Sequence, residues 1–230
     1  MTRVNAPGPR EGLIARLADE LLLRSASLGH PLRAGIDGRS AAGKSHLAEE
    51  LVAELRRRGS EAVRVSLDEF HRPGHKFRSE RGEWTPQNRL AEGLDYAAFR
   101  TWVLEPLGPG GSRRIRPRMF DSYQDRPWPE EWLELGPAAI LVSDAGHGFV
   151  PELVGEWDYR IWLEVSADTM IERATGRDIA WAGTREQVRR RYEEFWVPTD
   201  AFYQRRNDPA GHAHCLIDNN DLASPQLLRI

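Results

Sequence analysis

Three short stretches bring together residue types that could do chemistry. Gly38-Arg39-Ser40-Ala41-Ala42-Gly43-Lys44-Ser45 sets glycines and small residues ahead of a lysine and a hydroxyl. Glycines and alanines let main-chain N–H groups curl around phosphate oxygens, and a helix opening at Lys44 would add partial positive charge. Lys44 can reach the β- and γ-phosphates of a nucleotide, and the Ser45 hydroxyl can ligate Mg²⁺. The eight residues complete the Walker A pattern, with Arg39 as its one bulky member, expected to point to solvent. Downstream, Ser66-Leu67-Asp68-Glu69-Phe70 carries a carboxylate, Asp68, that could face the terminal phosphate as a general base. Glu69, its neighbour, would point the other way on an extended chain. Further on, Asp144 ends an apolar run, the usual place of a metal-holding carboxylate.

These groups need elements to hold them. Residues 31–37 read as a short buried strand leading into the glycine loop. Residues 45–59 read as a helix with Leu47, Leu51, Val52 and Leu55 on one face and Gly59 past its end. Residues 61–70 alternate as a strand, and 138–146 form a continuous apolar run, the mark of a strand covered on both faces. A helix is expected at 11–24, another at 95–107, a further strand at 159–165, helices at 167–178 and 184–196, and a last strand at 214–221. Residues 1–10 read as a loose arm. Residues 71–93 are polar, charged and aperiodic, a long loop of the kind that is functional or mobile. Residues 113–127 read as a short extended hairpin. Strands alternating with helices predict a parallel sheet with helices on both sides, and ligands in such sheets sit at the carboxyl ends of the strands. Gly38, Asp68 and Asp144 all fall there.

The composition narrows the classes. A chain of 230 residues suits one α/β domain, and 29% charged with 40% hydrophobic residues is globular. A net charge of −3 argues against broad nucleic-acid binding or attraction to anionic membranes. The lone Cys215 allows no internal disulfide and accords with a reducing cytoplasm. The first residues have no long apolar core, so no signal peptide is expected, and no run is long enough to span a bilayer. The Asn-Lys-x-Asp motif that reads guanine and a Ser-Gly-Gly-Gln-like transporter signature are both missing. His71 and His75 in HRPGH have no further ligand at a zinc-site spacing.

With GRSAAGKS and VSLDEFHRP at their relative spacing, and with DYAAF, MFD, ERATGRD and IDNND in support, residues 30–222 resemble the uridine kinase-like group of P-loop kinases. That group spans uridine/cytidine kinases, bacterial pantothenate kinase and phosphoribulokinase. The resemblance implies a three-layer α/β/α P-loop domain with a five-stranded parallel sheet. It also implies a small substrate hairpin, a lid at about 173–191, MgATP as donor, and transfer to a hydroxyl of a small molecule. A nucleoside is the first expectation for that acceptor, with pantothenate or a sugar as alternatives. From another class, the alternative is a nucleotide-binding regulatory protein without transfer. Relatives often form dimers or tetramers.

Carried over by position, Asp68 would orient or deprotonate the acceptor hydroxyl. Arg173 and Arg177, four residues apart on one helical face, would neutralise the phosphoryl in flight, or else form a solvated basic face. Asp144 would hold Mg²⁺ with Ser45, although Asp144-Ala145-Gly146-His147 departs from the acid-then-glycine pattern of the group. Asp95 would contact the acceptor, or equally cap the helix that follows it. Phe120, Asp121 and His71 would help to hold the acceptor, and a base could stack on Phe120, Phe77 or Trp84.

Overall fold

The computed structural model describes residues 8–230. Of the expected N-terminal arm, residues 1–7 lie outside the described residues, and the first helix, α1 (Pro9–Ser25), begins inside it. Pro at the first helical position suits this start, since its missing N–H has no partner to lose there. Next come β1 (Leu32–Gly38), the glycine loop, α2 (Lys44–Arg57) and β2 (Ala62–Ser66).

The aperiodic stretch after β2 is more ordered than its sequence predicts. It holds two short helices, α3 (His75–Glu80) and α4 (Pro86–Glu92). Thr85 caps the second: its side chain accepts from Asn88 N at 3.2 Å, and Asn88 Oδ1 accepts from Thr85 N at 2.7 Å. Such local caps stabilise helices too short to show a hydrophobic period. The helix expected at 95–107 opens as α5 (Tyr96–Phe99), widens into a π turn over Arg100–Leu104 and tightens over Glu105–Leu107. Pro106 supplies the reason, having no N–H and a ring that crowds the carbonyl four residues back. That carbonyl, on Trp102, accepts from Arg116 N instead, at 3.0 Å.

The expected single hairpin at 113–127 is two nested ladders. Strand β3 (Arg114–Ile115) pairs with β6 (Leu133–Glu134), and inside them β4 (Phe120–Asp121) pairs with β5 (Arg126–Pro127). Beyond lie β7 (Ile140–Asp144), β8 (Tyr159–Glu164), α6 (Ala167–Arg177), α7 (Ile179–Ala182), α8 (Arg185–Arg191), α9 (Val197–Asn207), α10 (Pro209–His212), β9 (Cys215–Asp218) and β10 (Gln226–Arg229).

The main sheet runs β10-β9-β8-β1-β7-β2. The strands from β9 to β2 are parallel, as expected, and β10 adds a sixth, antiparallel edge. Only four residues long and mostly exposed, β10 carries no alternation strong enough to announce itself. Alternate side chains of the central strands enter two separate cores. Ile140 and Val142 of β7 and Tyr159, Ile161 and Leu163 of β8 meet α1, α2 and α6. Leu141 and Trp162 face the other way, toward Phe99, Phe149, Trp157 and Tyr203. Burial on both faces is why these strands read as unbroken apolar runs. The parallel register, with Ile36 and Ser66 both opposite Asp144, aligns the carboxyl ends of β1, β2 and β7 along one edge, which sets the site.

Candidate active site

The glycine loop turns between β1 and α2. At Gly38 a Cβ would stand 2.5 Å from the Leu163 carbonyl oxygen, and Gly43 is left-handed at φ 96°. Both positions therefore exclude a side chain. The Lys44 ammonium donates to the carbonyls of Gly38 and Arg39 at 2.9 and 2.8 Å, so it is tethered over the loop. Ser40 N donates to Asp200 Oδ2, and Asn219 Nδ2 to the Ala42 carbonyl. Arg39 leans toward Glu164, 3.8 Å away. No acidic residue occupies the first turn of α2, so its N-terminus keeps its affinity for anions.

Asp144 ends β7 almost fully buried. It accepts from Ser45 Oγ at 2.8 Å and from Ser66 Oγ at 3.2 Å. Arg64 of β2 grips both its oxygens, each at 2.8 Å. Asp68 follows on the turn Leu67–Glu69, where its own N–H donates to Ser66 Oγ at 3.3 Å. The side chain is exposed, and its carboxylate makes no hydrogen bond among the described residues. Its Oδ1 lies 3.9 Å from where a Cβ on Gly146 would stand. Asp68 and the turn after Asp144 thus lie side by side, and the Ser45–Asp144 hydrogen bond joins that strand end to the loop.

That turn departs from the group's pattern for a visible reason. Asp37, the last side chain of β1 before the glycine loop, is fully buried and draws the turn's N–H groups onto itself. His147 N reaches Oδ1 at 3.3 Å, while Gly148 N and Phe149 N reach Oδ2 at 2.9 and 3.2 Å. Gly38 N and Tyr203 OH donate as well, at 2.7 and 2.5 Å. His147 takes a left-handed φ of 68° to make the wrap. Burial pushes the Asp37 carboxyl up, opposed by Lys44 and by the Tyr203 hydroxyl. The His147 ring meets Asp200 at 3.2 Å, so Asp200 of α9 bridges turn and loop. The sequence reading missed Asp37 and Asp200. An aspartate inside an apolar strand was the available signal, because a buried carboxylate must find donors.

Beneath Asp68 lies a second polar group. His71 Nδ1 is 2.6 Å from the Asp68 carbonyl, and its Nε2 is 3.2 Å from Arg89 Nη2. Since a guanidinium only donates, Nε2 accepts and Nδ1 carries the proton. Burial, then the Arg89 charge, depress His71 to about 3. Burial likewise depresses His75, whose ring centroid is 4.1 Å from that of His71, to about 2. His71 was expected to touch the acceptor. The structure instead uses both its ring nitrogens inside the protein.

A buried neutral histidine makes stability pH-dependent. Folded His71 titrates below its unfolded value near 6.5, so its contribution is complete above that pH and is lost as pH falls toward 3. Between pH 6.5 and 5, the unfolding free energy read from urea titrations should fall by roughly 1 kcal/mol per pH unit from this residue alone. His71→Gln should flatten that slope.

The remaining expected residues are placed as follows. Asp95 caps α5, accepting from Ala98 N at 2.9 Å. Phe120 is buried and bridges to Phe70 across the strand-like pairing there. Asp121 spends Oδ1 on the turn N–H groups of Tyr123 and Gln124. The two lid arginines diverge. Arg173 reaches the loop but donates to the carbonyls of Ala42, Asn219 and Asn220. Arg177 is clamped by Asp178 and the Tyr192 hydroxyl. Both guanidiniums are engaged by the protein's own acceptors, although the Arg177 side chain remains 59% exposed. Among the described residues no group of three or more His, Cys, Asp or Glu could hold a metal, and no helix is long and apolar enough to cross a membrane.

No family model matches the chain. It is 27% identical over 172 residues to uridine-cytidine kinase B of Dictyostelium discoideum, spanning 74% of this chain and 68% of that one. It is 29% identical over 119 residues to the uncharacterized kinase mug58 of Schizosaccharomyces pombe, spanning 47% of this chain and 43% of that protein. Among solved structures, a candidate fructose transport system kinase from Silicibacter sp. TM1040 superposes with a TM-score of 0.67 at 21% identity, covering 84% of this chain and 94% of the other. A candidate uridine kinase from Bacillus stearothermophilus gives 0.64 at 15% identity, covering 89% and 98%. D-glycerate 3-kinase from Cryptococcus neoformans gives 0.59 at 17% identity, covering 81% and 87%.

Proposed function

We propose, for a chain whose kinship and fold are those of the uridine kinase-like P-loop kinases, that it transfers the γ-phosphoryl of MgATP to a hydroxyl of a small molecule. One observation carries the reading: Lys44, Ser45, Asp144 and Asp68 meet at the carboxyl edge of β1, β7 and β2. In the proposal, the loop amides and the Lys44 ammonium bind the triphosphate. Asp68, whose exposed carboxylate makes no hydrogen bond among the described residues, orients the acceptor oxygen and takes its proton. Arg173, seated against the loop, adds positive charge beside the donor, while Arg177 braces the lid through Asp178.

The donor set also fits Mg²⁺. One buried carboxylate and one hydroxyl, 2.8 Å apart beside the phosphate cradle, are what such an ion takes from protein when phosphate and water supply the rest. Ser45 and Asp144 would hold it, and bound there it would neutralise charge on the phosphoryl oxygens. Arg64 shares Asp144 and holds its carboxylate in place.

Kinship to uridine-cytidine kinase B supports a nucleoside acceptor. A second reading, a smaller hydroxy compound, is favoured by how the aromatic residues pack. Phe120 is buried, while Trp84 has the Arg78 guanidinium 3.8 Å over its ring and His75 at 5.3 Å. Of the three stacking candidates only Phe77, 52% exposed, stays open to a base. The buried Cys215 thiol accords with the proposed cytoplasmic setting. The test is acceptor-dependent ADP release across nucleosides, sugars and hydroxy acids, with Lys44→Ala as blank. ATP binding with no acceptor-dependent turnover anywhere in the panel would favour a regulatory nucleotide binder.

A further inference from the structure

Arg89 of α4 is buried, only 5% exposed. Its Nη2 meets His71, but its Nε and Nη1 have no hydrogen-bond partner, and it forms no ion pair among the described residues. A buried cation without an anion is rare, because desolvation penalises the charge and nothing returns the loss. Arginine does not escape by shedding its proton. The seat is nonetheless built for it. A Cβ on Gly93 would fall 1.9 Å from Nη1, so the glycine leaves room for the guanidinium. The rings of Trp84 and Trp196 stand 5.9 and 5.7 Å from it. Nearby, the buried Tyr96 hydroxyl and His75 Nδ1 also lack partners. Burial lowers Arg89, with the carboxylates of Asp68 and Asp200 opposing, so both act on it at a distance without pairing with it.

The surroundings of Arg89 lead to Asp68. One imidazole, that of His71, separates the guanidinium from the Asp68 carbonyl. His71 and His75 are both neutral above about pH 3, so Arg89 is the cation of this group. Resting on the kinase reading above, we propose that Arg89 is the anion receptor for the phosphate acceptor, and that the acceptor is a short hydroxy acid. Its carboxylate pairs with Arg89, and its hydroxyl is presented to Asp68. The acceptor oxygen bonds to the γ-phosphorus, the bond from that phosphorus to the β-bridging oxygen breaks, ADP leaves with the electron pair, and the hydroxyl proton passes to Asp68. A monoanion matches one guanidinium. A phosphate dianion would leave surplus negative charge beside Asp68.

Matched pairs test this with the full chain. ADP release is measured with glycerate against glycerol, gluconate against sorbitol and pantothenate against panthenol, with uridine and glycerol 3-phosphate alongside, for wild type, Arg89→Met and Arg89→Lys. The acid member of at least one pair should lead its neutral partner by about 100-fold or more in kcat/KM. Arg89→Met should raise the KM for that acid by a similar factor and erase the preference, while Arg89→Lys recovers part of it. Preference for a neutral alcohol, for uridine or for the phosphate ester overturns the proposal, as does an unchanged KM in Arg89→Met. Should no acceptor turn over, melting in the presence of MgADP decides. A rise in wild-type midpoint with the acids, missing in Arg89→Met, supports the proposal, and no difference overturns it. Failure of wild type to bind MgATP would remove the kinase reading itself, a result that the acceptor arms cannot produce.

Discussion

Asp68→Asn should lower kcat by about 10²–10⁴-fold, the range that a positioned general base contributes, with ATP affinity and folding stability close to wild type. The asymmetry follows from how the side chain is held. The turn that carries Asp68 is fixed through its main chain, by the Ser66 cap on its N–H and by His71 on its carbonyl. The carboxylate itself is exposed and makes no hydrogen bond among the described residues. Replacing it by an amide of the same shape therefore removes no hydrogen bond, and exposed substitutions of that kind shift stability by only about 0.5 kcal/mol. What changes is the capacity to accept a proton. Urea unfolding, nucleotide titration and steady-state turnover with the true acceptor read the three quantities separately. Near-normal kcat in Asp68→Asn would end the assignment of Asp68 as the base.

The difference between what the sequence disclosed and what it concealed has a physical basis. Gly38 and Gly43 were legible because the loop needs backbone shapes that few residues adopt, so composition records geometry there. The central strands were legible because burial on both faces forces unbroken apolar runs. α3 and α4 were not, since caps and short turns rather than a long period hold them. The pairing partners of charged side chains were the least legible. Arg173 and Arg177 share a helix, yet one lies on the carbonyls of Ala42, Asn219 and Asn220 and the other on Asp178. Asp95 and Asp121 each cap local N–H groups, a use that any aspartate near a turn can have. Arg64 on Asp144 joins residues 80 positions apart, and Arg89 on His71 brings part of the polar, aperiodic stretch 71–93 into a buried cluster. Such contacts depend on tertiary packing, which no local pattern encodes.

Asp37→Ala should destabilise the fold by about 3 kcal/mol or more, because several buried donors lose their acceptor together. Gly38 N, His147 N, Gly148 N, Phe149 N and the Tyr203 hydroxyl all point at this one carboxylate. Among the described residues, Phe149 N alone of these keeps a second partner, the Tyr203 oxygen at 2.9 Å. Tyr203→Phe removes one donor and leaves the carboxylate four others, so it should lose about 1 kcal/mol. Asp37→Asn keeps the volume but turns an amide N–H₂ toward N–H groups, and should fall between the two. That ordering separates a network centred on Asp37 from simple loss of packing, which would rank Tyr203→Phe and Asp37→Asn as equally mild. Function should follow stability here. The same carboxylate ties the first residue of the phosphate loop to the turn after Asp144, so any Asp37→Ala protein that remains folded should bind ATP more weakly. Urea midpoints with and without MgATP measure both effects, and an Asp37→Ala loss under about 1 kcal/mol would show that the turn is held by other contacts.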